Sequence, residues 1–350
     1  MKGPLVSVCL PNFNTRSFLQ ERIQTIFDQT YDNWEMIVSD NFSDDGSWEL
    51  FEELAQKDQR IAIAQAPREG MYANWNTCVG RAQGKYVYIA TSDDTMSPDC
   101  LEKMVQALER NPDCGMCQCG LQIIDKRGMP VDSSDAWENW TAPVYLGKWI
   151  HIPHIRRAPY DGLLHLGLFC VYTSITQLLI RRRVFDRLGL FRTDCDSRGD
   201  FEWQMRVGIE EDVVYIPQKL ATWRRHDQQA TQGDKFLPAR AQGEYRRLAE
   251  LALDSLQARN PQLAARLRKS RLNHFYMANE LGARRQLAQS RFAELRTIAD
   301  FVVKYPAFSL YWLYCKTIRR QSVARDFRET VDQECSELGL SNLLVKLEPW

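Results

Sequence analysis

The chain has 350 residues, with 45 Lys and Arg against 45 Asp and Glu, and 44% of it is hydrophobic. That length holds one large α/β domain with a smaller appendage and buries a sizeable core. The even charge excludes a global basic field of the kind that gathers nucleic acid, so any anion chemistry has to be local.

Met1 to Leu10 carries one lysine and a short apolar run with Pro4 inside it. A secretory signal needs a longer apolar stretch and a small-residue cleavage site. Leu5 to Leu10, closed by Pro11, predicts a buried strand. Ser17 to Gln29 has helical periodicity, with Phe18, Ile23, Ile26 and Phe27 on one side. Trp34 to Ser39 predicts a second strand, Ser47 to Lys57 a helix and Ile61 to Ala66 a third strand. Met71 to Ala82 reads as a helix with Gly84 as its stop signal, and Lys85 to Ala90 as a fourth strand running into Thr91-Ser92-Asp93-Asp94. Pro98 to Asn111 is the next expected helix and Cys114 to Ile124 the next strand.

From Asp125 to Gly167 the pattern breaks into a region with Trp, Pro and His, expected to be an irregular insertion beside the active site. Gln177 to Ile180 predicts a strand, Arg183 to Leu188 a short helix ended by Gly189, and Phe201 to Ile209 another helix. Val213 to Ile216 predicts a strand followed by a turn at Pro217. Beyond Phe236 the composition shifts to helices rich in Leu, Ala and Arg that run nearly to the end. No apolar run reaches the roughly 18 residues of a spanning helix.

The ten cysteines are scattered, and reduced thiols in the cytoplasm are the expectation for a chain of this size. Cys114, Cys117 and Cys119 lack a fourth ligand at metal-site spacing, and strand alternation sends Cys117 and Cys119 to one face as small packing residues.

Strand–helix alternation of this kind predicts a mostly parallel sheet covered on both faces. Ligands bind such sheets beyond the carboxyl ends of the strands. Asp40 stands after the second strand, and Asp93 with Asp94 after the fourth. Paired carboxylates suit Mg²⁺ or Mn²⁺, which combine one or two of them with substrate phosphates. Capping of the following helix accounts for the same pair. Asp40 suits a ribose or base edge, or simply a turn. Asp200, in Gly199-Asp200-Phe201-Glu202, serves either as an N-cap or as a general base over an acceptor hydroxyl. His226 beside Arg224 and Arg225 is a solvated surface feature or, near a diphosphate, an imidazole ligand with cationic donors.

Taken in order, these segments resemble the family 2 glycosyltransferases. Val6-Ser7-Val8-Cys9-Leu10-Pro11-Asn12-Phe13-Asn14 is similar to the family's first strand and its Pro-x-(Tyr/Phe)-Asn turn. Gln29-Thr30-Tyr31-Asp32-Asn33-Trp34-Glu35 resembles the lead into its second strand, and Ser39 to Gly46 a variant of its Asp-Asp-Gly-Ser-x-Asp segment. Gly84-Lys85-Tyr86-Val87 with Ser92-Asp93-Asp94 resembles the run into its metal motif. Gly189-Leu190-Phe191, Gly199 to Glu202 and Arg224-Arg225-His226 are similar to its downstream segments. The resemblance covers roughly residues 4 to 232, and the combination is more specific than any single motif.

The resemblance implies an α/β fold of the GT-A type, a Rossmann-like, mostly parallel sheet with helices on both faces, to which the change in composition adds a C-terminal helical extension. It implies a catalytic domain over 1–236, with a nucleotide-sugar half to about 124 and an acceptor half from about 125; composition alone assigns 237–350 to a helical region. Asp40 would contact the base, Asp93 the ribose or sugar, and Asp94 the Mn²⁺ or Mg²⁺, with His226 as a further ligand. Pro11, Asn12, Asn14, Arg68 and Arg225 complete the implied donor set, and Asp200 is the implied general base. Asn41 stands where an Asp is more usual in the family, so its contact is open. The implied reaction moves a sugar with inversion from a nucleotide-diphosphate donor, a UDP-sugar first, to a saccharide or lipid-linked acceptor in bacterial cell-surface polysaccharide or glycolipid synthesis.

A sugar nucleotidyltransferase would share the sheet and the metal but wants a Gly-rich phosphate loop, where this chain has Pro11-Asn12-Phe13-Asn14-Thr15-Arg16. The same absence argues against a Rossmann dehydrogenase. An inactive scaffold of the same fold would be expected to lose the carboxylates, which are all present. Arg266 to Arg325 holds thirteen basic against three acidic residues, with an aromatic run from Tyr305 to Tyr314. Either a helical subdomain packs there on the catalytic domain, or an interfacial helix docks on anionic lipid at the inner face of the plasma membrane.

Overall fold

The computed structural model describes residues 3–140, 142–168, 171–227, 229, 238, 241–314 and 327–348. The apolar runs of the first third form β1 (Val6–Asn12), β2 (Trp34–Asp40), β3 (Ile61–Gln65) and β4 (Tyr86–Ile89). Helices α1 (Arg16–Phe27), α2 (Ser47–Lys57), α3 (Met71–Arg81) and α4 (Cys100–Arg110) alternate with them. These eight elements fall where periodicity predicts them, with ends shifted by a residue or two. The exception in kind is Pro11, expected to close β1, which lies inside it. Cys9 O accepts from Ala90 N on the β4 side, so Pro11, two residues on, turns its missing N–H to that side, where β4 has ended.

After β5 (Met116–Ile124) the insertion is more regular than the sequence predicts. It forms α5 (Trp137–Trp140), α6 (Ala142–Tyr145), β6 (His154–Arg156) and α7 (Tyr160–Leu168). Buried polar residues hide its periodicity. Arg156 Nε lies 2.5 Å from Asp161 Oδ1, and its Nη2 donates to Gln118 Oε1 at 2.5 Å, all three side chains buried. The Arg156 charge opposes the burial penalty and leaves the Asp161 carboxyl below its usual value. Such a pair is destabilising to break, because one partner alone would be an uncompensated buried charge.

Next come β7 (Leu178–Arg181), α8 (Arg182–Leu188), α9 (Gly199–Gly208) and β8 (Val213–Arg224). The turn expected at Pro217 is instead a bulge within β8. The register steps from Cys119↔Ile216 to Gly120↔Lys219 to Leu121↔Ala221, and a Cβ on Gly120 would sit 2.7 Å from the Pro217 carbonyl oxygen. β8 therefore continues eight residues past its predicted end and delivers His226 to the sheet's carboxyl edge.

The C-terminal part contains α10 (Glu244–Gln257), α11 (Pro261–Arg268), α12 (Asn273–Gln286), α13 (Arg291–Lys304), α14 (Pro306–Tyr314) and α15 (Phe327–Glu337). It ends in β9 (Leu344–Lys346), which pairs antiparallel with β6. The nine strands make one sheet in the order β3-β2-β1-β4-β7-β5-β8-β6-β9, with β1 to β4 parallel. Leu248, Ala252, Leu256, Phe275 and Phe327 belong to the same apolar core as the sheet. The eight described cysteines are buried thiols.

Candidate active site

The carboxyl ends of β1 and β4, the first turns of α3 and the segment after β8 enclose a cleft of about 530 Å³. Its β1 wall is Pro11, Asn12, Phe13, Asn14 and Thr15, and Phe18 follows on α1. Asn12 is buried, and its amide donates to Asp40 Oδ1 at 2.7 Å and to Ser43 Oγ at 3.1 Å while its Oδ1 accepts from Thr15 Oγ1 at 2.5 Å. Asn14 adopts φ +50, a left-handed conformation that Asn tolerates well. Its side chain exchanges bonds with Asp44 at 2.8 and 3.0 Å. The turn is thereby fixed before any ligand arrives.

Arg68 Nε and Nη2 donate to the carbonyls of Asn41 and Phe42, both at 2.9 Å, and its guanidinium lies 3.9 Å from the Phe13 ring centroid. Phe13 is 43% exposed, so this stack presents a flat, electron-rich and cationic platform at the mouth. Nucleobases are recognised by such platforms, because every base offers a π-face. Asn41 lines the cleft beside it, its amide donating to the carbonyls of Ala66 and Pro67.

The two carboxylates after β4 point apart. Asp93 lines the cleft, with Oδ2 3.0 Å from His226 Nε2. Asp94 is buried, its Oδ1 accepting from Arg224 N at 2.7 Å and its Oδ2 from Thr91 Oγ1 at 2.6 Å. Burial, followed by the charge of Asp93, pushes its carboxyl up to about 7. Arg224 also donates from Nε to the Asp93 carbonyl at 2.7 Å and pairs with Glu21, so the Asp93 backbone is clamped between β8 and α1. The sequence expectation put the metal on Asp94 and the ribose on Asp93. Of the two, Asp93 lines the cleft, and the oxygens of Asp94 are engaged by Arg224 and Thr91.

Two further expected donor contacts sit elsewhere. Asp40 is fully buried and does not line the cleft; its carboxylate accepts from Asn12, from Ser43 Oγ at 2.6 Å and from Ser43 N at 2.8 Å. It fastens the Asn12 turn that lines the cleft. Arg225 lies outside the lining, pairing with Asp135 at 3.1 Å over the Trp223 ring. Pro11, Asn12, Asn14, Arg68, Asp93 and His226 all line the cleft. Sequence reasoning missed Phe18, Met71, Asn74, Trp75 and Gln229, which also line it. On α3 these residues carry only an ordinary amphipathic pattern, which gives no functional signal.

Asp200 opens α9 and is half-buried. Tyr72 Oη donates to its Oδ1 at 2.5 Å and Phe201 N at 3.0 Å. Burial raises its carboxyl to about 6, against the lowering effect of those two bonds. Asp200 is not among the residues lining this cleft; it bonds to Tyr72, whose neighbour Met71 does line it. Gly199 is required there, because a Cβ would lie 2.7 Å from the Tyr72 ring and 2.5 Å from the Arg192 carbonyl oxygen.

Among the described residues no three or more of His, Cys, Asp and Glu gather into a metal cage. Asp93 with His226 offers two donors on one side of a cleft. That set fits a hard divalent cation whose remaining positions go to an anionic ligand and water, and it does not fit a closed structural site.

The family model described as Glycosyl transferase family 2 matches residues 7–186, about half of the chain. An uncharacterized glycosyltransferase of Haemophilus influenzae is 32% identical over 234 residues, covering 65% of this chain and 68% of its own. Bacillus subtilis TuaG, provisionally named for teichuronic acid biosynthesis, is 33% identical over 163 residues, covering 46% of this chain; the chain spans only 57% of TuaG's length. Among solved structures, S. aureus TarS 1–349 in complex with UDP-GlcNAc superposes with a TM-score of 0.59 at 12% identity, over 96% of this chain and 93% of that one. A mannosyltransferase from Pyrobaculum calidifontis, in complex with GDP-Man and Mn²⁺, gives 0.53 at 15% identity, over 96% and 86%. At these identities the superpositions show the fold, the GT-A type that the sequence motifs imply.

Proposed function

The chain belongs to glycosyl transferase family 2, and we propose that it moves a sugar with inversion from a UDP-sugar to an acceptor hydroxyl in bacterial cell-surface polysaccharide or glycolipid synthesis. The observation that carries this reading is the arrangement of the cleft, where the Phe13–Arg68 platform and the Asp93–His226 pair open on one volume of about 530 Å³. That volume suits a nucleotide-sized ligand. The cleft draws on both proposed halves of the 1–236 catalytic unit, residues 11 to 93 from the first and His226 and Gln229 from the second.

In this reading Phe13 and Arg68 hold the base, while the Asn12 turn fixes the ribose side. Asp93 and His226 would hold Mn²⁺ or Mg²⁺, whose charge would stabilise the departing diphosphate. Asp200 takes the acceptor hydroxyl proton at Oδ2, the oxygen that Tyr72 leaves open. The acceptor oxygen then bonds to the anomeric carbon as the bond to the diphosphate breaks, and this single displacement inverts configuration.

The UDP preference and the cation draw support from what TarS and the Pyrobaculum enzyme are named as binding. The biosynthetic setting draws support from the name of TuaG. The cytoplasm is the proposed location. The test is release of nucleoside diphosphate from a panel of UDP-, dTDP- and GDP-sugars, with Asp200→Asn as control. Turnover of one donor that this substitution abolishes supports the reading; no turnover of any donor by folded protein with added Mn²⁺ and saccharide acceptors contradicts it.

A further inference from the structure

The whole chain is neutral, yet Arg266 to Arg325 carries thirteen basic residues against three acidic ones. Within that stretch, α13 and α14 bury one face only. Phe301 and Phe308 pack with Leu281 of α12 into a small cluster, to which Ile298 and Tyr305 add. The opposite face is apolar and open. Phe292 is 79% exposed, Leu295 59%, Val303 82% and Leu310 71%.

This face is not ordinary surface scatter. Of the eleven large hydrophobic side chains exposed among the described residues, seven lie between Leu287 and Leu313. On α13, Phe292, Leu295, Ala299, Val302 and Val303 recur at three- and four-residue spacing, all exposed, so they form one stripe along the helix. Arg291 and Arg296 border the stripe on its two sides, where long cationic side chains reach polar headgroups while their stems cover apolar surface. α14 continues the apolar surface with Leu310 and Leu313, and its nine residues include no charge. Among the described residues no helix is long and apolar enough to cross a membrane.

We propose that the outer face of α13 and α14 docks the protein on an anionic lipid bilayer, with the stripe in the headgroup–acyl boundary and the bordering Arg291 and Arg296 against the lipid charge. One feature argues for lipid over a second copy of the chain. An apolar stripe bordered by arginines is the pattern of a helix lying in a membrane interface. Docking would hold the enzyme at the surface where amphiphilic acceptors concentrate, and it does not depend on which sugar is transferred.

The test uses the full chain in flotation with vesicles of phosphatidylcholine alone and of phosphatidylcholine with one part in four phosphatidylglycerol. The double variant Leu295→Glu, Val303→Glu alters two exposed positions, and unchanged circular dichroism and nucleotide binding certify its fold. Wild type should float with the anionic vesicles and not the neutral ones, high salt should weaken the binding, and the double variant should bind at least about tenfold more weakly. Val303→Leu should keep the binding. Failure of wild type to float with anionic vesicles at low salt overturns the proposal, and so does equal flotation by the double variant. A wild-type dimer that the variant dissolves, seen by light scattering, would assign the face to a second copy and also overturn it.

Discussion

The hydroxyl of Tyr72 lies 2.5 Å from Oδ1 of Asp200, tying the helix that walls the cleft to the helix that opens with the proposed base. A phenol can donate only one hydrogen. The carbonyl of Ser197 stands at 3.2 Å, so the shorter contact to Asp200 takes the proton. The bond fixes one carboxylate oxygen and leaves the other for an acceptor, and it brings the Tyr72 ring so close to residue 199 that only a glycine fits there.

A base has to be ionised, and burial raises the Asp200 carboxyl to about 6. Transfer should therefore fall as pH drops through about 6. Asp200→Asn should cost about 10²- to 10⁴-fold in kcat above about pH 6 and remove the acid limb, so that the deficit narrows as the pH falls. The pH profile of wild type against this variant checks both.

Tyr72→Phe removes a bond that lowers the Asp200 carboxyl, so the acid limb of the profile should move to higher pH. A hydrogen bond to a charged group contributes about 1.5–3 kcal/mol, which corresponds to a shift of about one to two units. Raising the pH should restore part of the lost kcat with KM for the donor unchanged. An unmoved limb would make Tyr72 a packing residue only.

Asp93 and Asp94 should separate by type of defect. Asp93→Asn should keep the melting temperature and lose metal-dependent nucleotide binding. Asp94→Ala leaves the Arg224 amide and the Thr91 hydroxyl without their acceptor, a loss of about 1–3 kcal/mol. Melting curves beside binding isotherms test the contrast.

Asp40→Ala should also lower stability, by a similar about 1–3 kcal/mol, because Asn12 and Ser43 lose a buried acceptor. All nucleotides should weaken together as the Asn12 turn loosens. A changed preference among UDP, dTDP and GDP at an unchanged melting temperature would instead mean that Asp40 reads the base.

The parallel half of the fold is legible from sequence because its strands are short apolar runs punctuated by Gly, Pro and Asp, and its helices keep a clean period. Legibility fails where tertiary contacts override local pattern. Pro217 marks a stop in isolation, but Gly120 on the neighbouring strand leaves room for a bulge and β8 continues. Arg156, Asp161 and His154 lie in the stretch expected to be irregular, yet they are buried together in the core and interrupt the period of β6 and α7. β9 is three residues long and exists because β6 offers it an edge.

The candidate site divides the same way. The Pro11–Asn14 turn and His226 are recognisable, since residue type and position both mark them. Which of Asp93 and Asp94 faces the cleft is decided by the amide of Arg224, 130 residues further on, and nothing local to the pair encodes that choice. The partners of Asp40 and Arg225 are hidden for a related reason: Asn12, Ser43 and Asp135 are the groups they meet, and sequence gives their type without their place.

The central claim is a metal-assisted nucleotide site built on Asp93, and calorimetry of UDP, dTDP and GDP with and without Mn²⁺ tests it most directly, on wild type and on Asp93→Asn. The account predicts Mn²⁺-dependent binding of one nucleotide, UDP, reduced by at least about tenfold in the variant. Binding by wild type that neither Mn²⁺ nor Asp93→Asn alters, or no binding by folded wild type, would contradict it.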